Sequence, residues 1–336
     1  MAVGLAISVL PVFLFLGALV LLDSYKLIPP RAILLAVAAG AAAGVAAYAI
    51  NVSLLGTVAP DMTRYSVFIA PIVEEVLKAM YIVWLLRASK VGFVVDAATY
   101  GFAVGTGFAL VENILSLHLH PNPTIWSWIV RGFGTALMHG GTTAILAMIS
   151  RTLHNRAPAF RPTLMLPALA VAIVLHSLYN RFLVSPLLAT ALIVLVFPYV
   201  FMFLFNKSES ETRSWLGTGF DTDQELLRVM RAGEVSDTPV GLYLKSLRKS
   251  FPPEVIVDMM CLLRLRAELG IRAKGMLLMR EAGFEAEPDP TLTPKLEEVR
   301  YLERSIGRTG MRALKPFVHT STQDLWQLNL LGVAQR

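Results

Sequence analysis

Seven apolar stretches follow one another at roughly 3–22, 32–51, 64–86, 91–117, 125–150, 164–184 and 186–205. Each is long enough to cross about 30 Å of hydrocarbon as a helix. Inside a bilayer the backbone must satisfy its own hydrogen bonds, so spanning segments of this length form helices. The chain is therefore expected to be all-α, a polytopic membrane bundle of about seven transmembrane helices. Pro29-Pro30, the Pro121-Asn122-Pro123 turn and Ser185-Pro186 punctuate the stretches. The first charge is Asp23, so residues 3–22 read as a retained helix rather than a cleaved signal.

Charge divides the chain in two. Residues 1–206 hold 11 Lys+Arg against 6 Asp+Glu, and residues 207–336 hold 19 against 18. The expected organisation is a membrane core, 1–206, and a cytoplasmic, mostly helical domain, 207–336. The basic excess lies mainly in loops that flank the membrane, with no basic–aromatic stripe, so a nucleic-acid partner is excluded. The single cysteine, Cys261, excludes an intrachain disulfide and a cysteine-based zinc cluster.

Lys26 and Arg31, Arg87 and Lys90, and Arg151, Arg156 and Arg161 lie in alternate loops, and Lys207 and Arg213 follow the last stretch. The opposite loops carry Arg64, Arg181 and no cation in 118–124. Flanking cations stay inside. The N-terminus is thus expected outside and residues 207–336 in the cytoplasm of a multi-pass cell-membrane protein. In that tail Leu226, Leu227 and Met230 repeat at helical spacing, as do Val255, Met259, Leu262, Leu263 and Leu269. Thr238-Pro239 and Thr293-Pro294 read as N-caps followed by Pro at the first helical position, and 285–293 as a linker. No catalytic motif or partner signal appears there. Gly40 and Gly44, and Gly101 and Gly105, are spaced to let helix backbones approach closely.

The ionisable residues inside the apolar stretches carry the functional signal, because charge in hydrocarbon is expensive and seldom kept without a use. The third stretch holds Glu74, Glu75 and Lys78; the fourth Asp96, Glu112 and Asn113; the fifth Arg131 and His139; the sixth His176 and Asn180. At 1.5 Å per residue, Glu74 lies about 15 Å, His176 about 14 Å and His139 about 20 Å from the outer ends of their helices. His176 and Asn180 share a face at i, i+4, as do Glu74 and Lys78. Depth alone pairs Arg131 with Glu112 and Asp96 with Lys78, which would relieve buried charges. His118 and His120 read as solvated loop residues; His154 and His319 carry no signal.

A carboxylate base with imidazole donors can activate water and stabilise an oxyanion. Alternatively His139, His176 and Glu75 can ligate a divalent metal such as zinc that acidifies water. Glu75, about 100° from Glu74 on the helix, is expected to face the histidines and activate water, while Lys78 holds Glu74 ionised. Asn180 is expected to position a peptide carbonyl. No His-Glu-x-x-His, Gly-x-Ser-Gly or Gly-x-Gly-Asp signature is present.

At these residues the chain resembles the PrsW-type membrane proteases, relatives of the CAAX prenyl endopeptidases. Four blocks carry the likeness across residues 60–185. They are Glu74-Glu75-Val-Leu-Lys78; Asp96 through Glu112-Asn113, with Phe108-x-x-x-Glu112; Arg131 followed by His139-Gly140; and His176-Ser-Leu-Tyr-Asn180. The resemblance implies an all-helical core and glutamate-dependent peptide-bond hydrolysis. It also implies regulated intramembrane proteolysis, a first extracytoplasmic cut in a membrane-tethered protein such as an anti-sigma factor. The expected site is Glu74, Glu75, Glu112, His139, His176 and Asn180. The alternative is a non-catalytic membrane binding or immunity-type protein that reuses the fold. A transporter would predict internal repeats, and none is evident.

Overall fold

The computed structural model describes residues 2–23, 28–55, 61–119, 124–155, 160–284 and 289–317, with Trp326 and Leu331 besides. Lys26, His120, the Pro121-Asn122-Pro123 turn, Arg156, His319 and residues 285–288 of the expected linker lie outside them. Among the described residues the secondary structure is helical, with no strand. The chain divides into two compact units, Met1–Glu209 and Ser210–Arg336.

The first unit is a membrane bundle. Its helices are α1 (Ala2–Leu22), α2 (Pro30–Leu54), α3 (Ala70–Arg87), α4 (Val94–Leu119), α5 (Ala136–Asn155), α6 (Leu166–Asn180) and the start of α7 (Pro186–Ala232). A π-helical turn, Tyr65–Ile69, leads into α3, and another, Val130–Thr135, leads into α5. Six helical runs among the described residues are long and apolar enough to cross a membrane: Val3–Leu22, Pro30–Leu54, Val94–Leu119, Ile125–Asn155, Pro162–Asn180 and Pro186–Ala232. The remaining stretch, expected as the third span, forms α3. It carries Glu74, Glu75, Lys78 and Arg87, and these charges separate it from the other six.

Helices α4 and α5 form the buried centre, and small residues bring them together. A Cβ on Gly105 would sit 2.3 Å from the His139 carbonyl oxygen; likewise between α2 and α4, one on Gly40 would sit 1.9 Å from that of Val104. Only glycine lets the backbones approach so closely. Phe102 of α4 meets Phe15 of α1 at 4.9 Å between ring centroids and Phe201 of α7 at 5.9 Å. The periphery is apolar and open: Val174 and Leu178 of α6 and Leu188, Leu192 and Leu195 of α7 are exposed. Such a surface suits lipid, not water.

Asp96 does not pair with Lys78. It sits at the start of α4 and accepts hydrogen bonds from the Gly92 and Phe93 amides, both at 2.9 Å. Free N–H groups at a helix N-terminus satisfy a carboxylate well. Buried Arg151 donates to the Gly92 carbonyl beside it.

In the second unit, α8 (Pro239–Leu247), α9 (Pro253–Glu281) and α10 (Leu292–Leu314) enclose a core that includes Leu244, Met259, Leu262, Leu269, Leu302 and Ile306. The Thr238 hydroxyl caps α8 by accepting from the Gly241 amide at 3.1 Å. The expected cap at Thr293 is displaced. Helix α10 begins two residues earlier than Pro294, at Leu292, after Thr291, whose amide and hydroxyl both donate to Asp289.

Candidate active site

Glu75 is the most enclosed acid of the bundle, with no exposed surface. Pro71 opens the first turn of α3, and the helix then turns Glu75 and Lys78 inward, three residues apart. Lys78 Nζ donates to Glu75 Oε1 at 2.5 Å. The same oxygen lies 2.8 Å from His176 Nδ1, projected from α6. A carboxylate only accepts, so Nδ1 carries the proton and His176 Nε2 keeps a free lone pair. That nitrogen faces Glu74, whose Oε2 lies 3.8 Å away.

Lys78 therefore pairs with Glu75 and not with Glu74. Glu74 is held from α2: Asn51 Nδ2 donates to its Oε1 at 3.3 Å, and Tyr65, buried in the π turn, donates to Asn51 Oδ1 at 2.9 Å. Neither Asn51 nor Tyr65 stood out in the sequence; a neutral polar residue near a helix end carries no charge penalty that would mark it.

His139 Nδ1 lies 3.2 Å from Lys78 Nζ, and its Nε2 lies 2.6 Å from Glu112 Oε2. An ammonium has only donors, so Nδ1 accepts and Nε2–H donates to Glu112. Glu112 in turn accepts from Arg131 Nη2 at 3.1 Å, the pairing that depth alone suggested. Side-chain exposure is 36% for Glu112, 15% for Glu74, 1% for His139 and 0% for Glu75. Glu112 is thus the site carboxylate most open to its surroundings. The two imidazoles stand edge to face, 4.8 Å between centroids. Lys78 also lies 4.7 Å from the centre of the Phe108 ring.

Asn180, one turn beyond His176, donates to the Ser66 carbonyl at 2.9 Å. That carbonyl belongs to the π turn before α3, where the regular helical ladder is interrupted. All six expected residues thus sit on α3, α4, α5 and α6, but their linkages differ from expectation. Glu75 is fully occupied on one oxygen, and its buried Oε2 has no hydrogen-bond partner among the described residues.

One set of residues suits a cation. Glu74, His139 and His176 each offer a ligand atom, and these atoms lie within 4.8 Å of one another. Two imidazoles and a carboxylate are a common donor set for zinc. Glu75 on the far nitrogen of His176 is the outer carboxylate that fixes a ligating imidazole. The donors fit such an ion, provided His139 gives up either its bond from Lys78 or the proton it shares with Glu112. Loss of a proton on metal binding is ordinary for imidazole ligands.

Comparison with curated proteins and with solved structures finds no match. A family model described as PrsW family intramembrane metalloprotease matches residues 28–205, which contain α2 to α6 and every residue of this site. The chain therefore belongs to the PrsW family of intramembrane metalloproteases.

Proposed function

We propose that the protein is a metal-dependent endopeptidase that cuts membrane-tethered protein substrates within or beside the bilayer. The convergence of Glu74, His139 and His176 inside the bundle, with His176 backed by Glu75, carries this reading. Those three residues would hold a divalent ion, and zinc suits the donors. When bound, such an ion supplies Lewis acidity that lowers the pKa of water.

The chain's own residues divide the remaining work. Glu112, half-exposed and beside His139 Nε2, is placed to accept a proton from water on Oε2 and return it to the leaving amine. Glu75 orients His176 and compensates Lys78, so neither Glu75 nor Lys78 needs to touch substrate. Glu75 was expected to activate water, but its burial and its two donors favour an orienting role. Asn180 fixes the approach of α6 to the π turn. Surrounding helices exclude bulk water, which strengthens each of these contacts.

The loop charges favour an extracytoplasmic N-terminus and a cytoplasmic second unit. This orientation opens the site toward the outer half of the membrane. A first regulatory cut in a tethered regulator fits that placement, with the second unit as the cytoplasmic arm.

Mass spectrometry of co-expressed membrane-tethered reporters tests the reading. Wild-type protein should yield a discrete fragment pair that His176→Ala does not. Identical fragments from both would sink the assignment and leave a non-catalytic binding protein.

A further inference from the structure

A hydrogen-bond chain runs from the first helix to the site. Asn113 of α4 is buried, 1% exposed, and uses both ends of its amide. Its Nδ2 donates to the Ser8 carbonyl of α1 at 2.6 Å, and its Oδ1 accepts from Arg131 Nε at 3.1 Å. Arg131 Nη2 donates to Glu112 Oε1 at 3.1 Å and to the Glu112 carbonyl at 3.4 Å. Glu112 Oε2 then takes His139 Nε2 at 2.6 Å.

The backbone is shaped around this chain. Arg131 sits in the π turn Val130–Thr135, a local distortion that re-aims side chains and recurs at functional sites. Gly132 beside it lets α1 come close: a Cβ there would lie 2.1 Å from the Ile7 carbonyl oxygen. Helix α1 lies outside the residues that match the family, 28–205. It is nevertheless bonded to the site through the Asn113 side chain.

We propose that Arg131 is a positioning residue: anchored through Asn113 to α1, it fixes the Glu112 carboxylate against His139. A guanidinium suits the task because its rigid fork reaches Asn113, the Glu112 carboxylate and the Glu112 backbone carbonyl at once, which a lysine ammonium does not match. Among the described residues Arg131 bonds to Asn113 and Glu112 and not to Glu74, His139 or His176, so it acts through Glu112. If the pair served only to neutralise two charges in the membrane, a lysine or a methylammonium ion would serve His139 as well as the guanidinium.

The test uses full-length protein labelled with 15N-histidine, with the His139 signal identified by its absence in His139→Gln. In Arg131→Ala the His139 Nε2 resonance should move, and methylguanidinium should restore it where methylammonium does not. The side chain is 24% exposed, so a small cation can reach its place. The kinetic arm rests on the protease reading: kcat should fall 10–100-fold or so, as for other outer groups that hold a ligand, with KM little changed. Where Arg131→Ala does not fold, Arg131→Lys, which keeps the charge without the fork, should shift the resonance and lower kcat in the same direction. An unmoved His139 signal overturns the proposal, as does a loss confined to KM, which would make Arg131 a substrate contact. Absence of cleavage by wild-type protein would defeat the protease reading alone, and the His139 resonance would still decide the relay.

Discussion

His176 Nδ1 rests 2.8 Å from Glu75 Oε1, two residues brought together from 101 positions apart. The contact ties α3 to α6 in the middle of the bundle, where neither group has exposed surface to spare. Because Lys78 holds the same oxygen, one carboxylate orients an imidazole and compensates a buried ammonium together.

That sharing predicts strong coupling. Removing one partner of a buried ion pair leaves an uncompensated charge and costs about 3–5 kcal/mol. Glu75→Gln and Lys78→Met should each destabilise the folded bundle by roughly that much, and the double variant by clearly less than their sum. Unfolding by SDS titration in bicelles measures the cycle. Additive losses would show that the two groups do not depend on one another.

Close approach of α4 to α5 is the second dependence. A methyl group on Gly105 meets the His139 carbonyl and the Gly140 Cα, both backbone atoms that no rotamer change can clear. Gly105→Ala should therefore cost about 1–3 kcal/mol. It should also displace His139 relative to Glu112. Gly17→Ala, where nothing lies within 4 Å of the new Cβ, is the control and should be nearly silent. Equal melting temperatures for the two variants would contradict this.

Both the buried charges and the tight glycines were legible in the sequence, since each is a local property. A carboxylate in an apolar stretch is conspicuous because hydrocarbon penalises it, and paired small residues at Gly101 and Gly105 announce a close helix contact. The pairing was not legible. Helical spacing permits Lys78 to reach Glu74 at i+4 or Glu75 at i+3. Neighbours from distant helices decide: Asn51 takes Glu74, and His176 takes Glu75. Depth along a helix likewise fixes the level of a group but not its direction. Asp96 and Lys78 share a level, yet Asp96 turns to its own helix start. Arg131 and Glu112 also share a level and do meet.

The second unit offers a pH dependence with a defined sign. A hydrogen bond from Lys295 is the main cause holding the Glu268 carboxyl below its ordinary value, and Lys295 and Arg272 add charge attraction. A group whose folded pKa is depressed contributes stability that is present above its unfolded pKa, about 4.3. The contribution is lost as pH falls through the lower, folded value. Both side chains are about a quarter exposed, so salt and water limit the effect to about 1 kcal/mol or less. A segment of residues 210–336 should give a helical circular dichroism spectrum and melt higher than its Lys295→Met variant at neutral pH. The difference should narrow as pH falls through the lowered, folded pKa. A random-coil spectrum for the segment, or a gap independent of pH, would contradict this account.

Chemistry gives the last expectation, because holding an ion and moving a proton fall on different residues. Glu74 and His176 face each other across a free lone pair, whereas Glu112 stands on the other side of His139 with the greatest exposure. Glu74→Gln and His176→Ala should lose both bound metal and cleavage. Glu112→Gln should keep its metal yet lose about 10²–10⁴-fold in rate, the usual worth of a general base. Treatment with a chelator should abolish wild-type cleavage, and zinc should restore it, but zinc should restore nothing to Glu112→Gln. Metal content by plasma mass spectrometry, measured beside initial rates on the same preparations, separates the two classes. Loss of metal in Glu112→Gln with retention in Glu74→Gln would exchange the two roles, and full activity after chelation would remove the ion from the reaction.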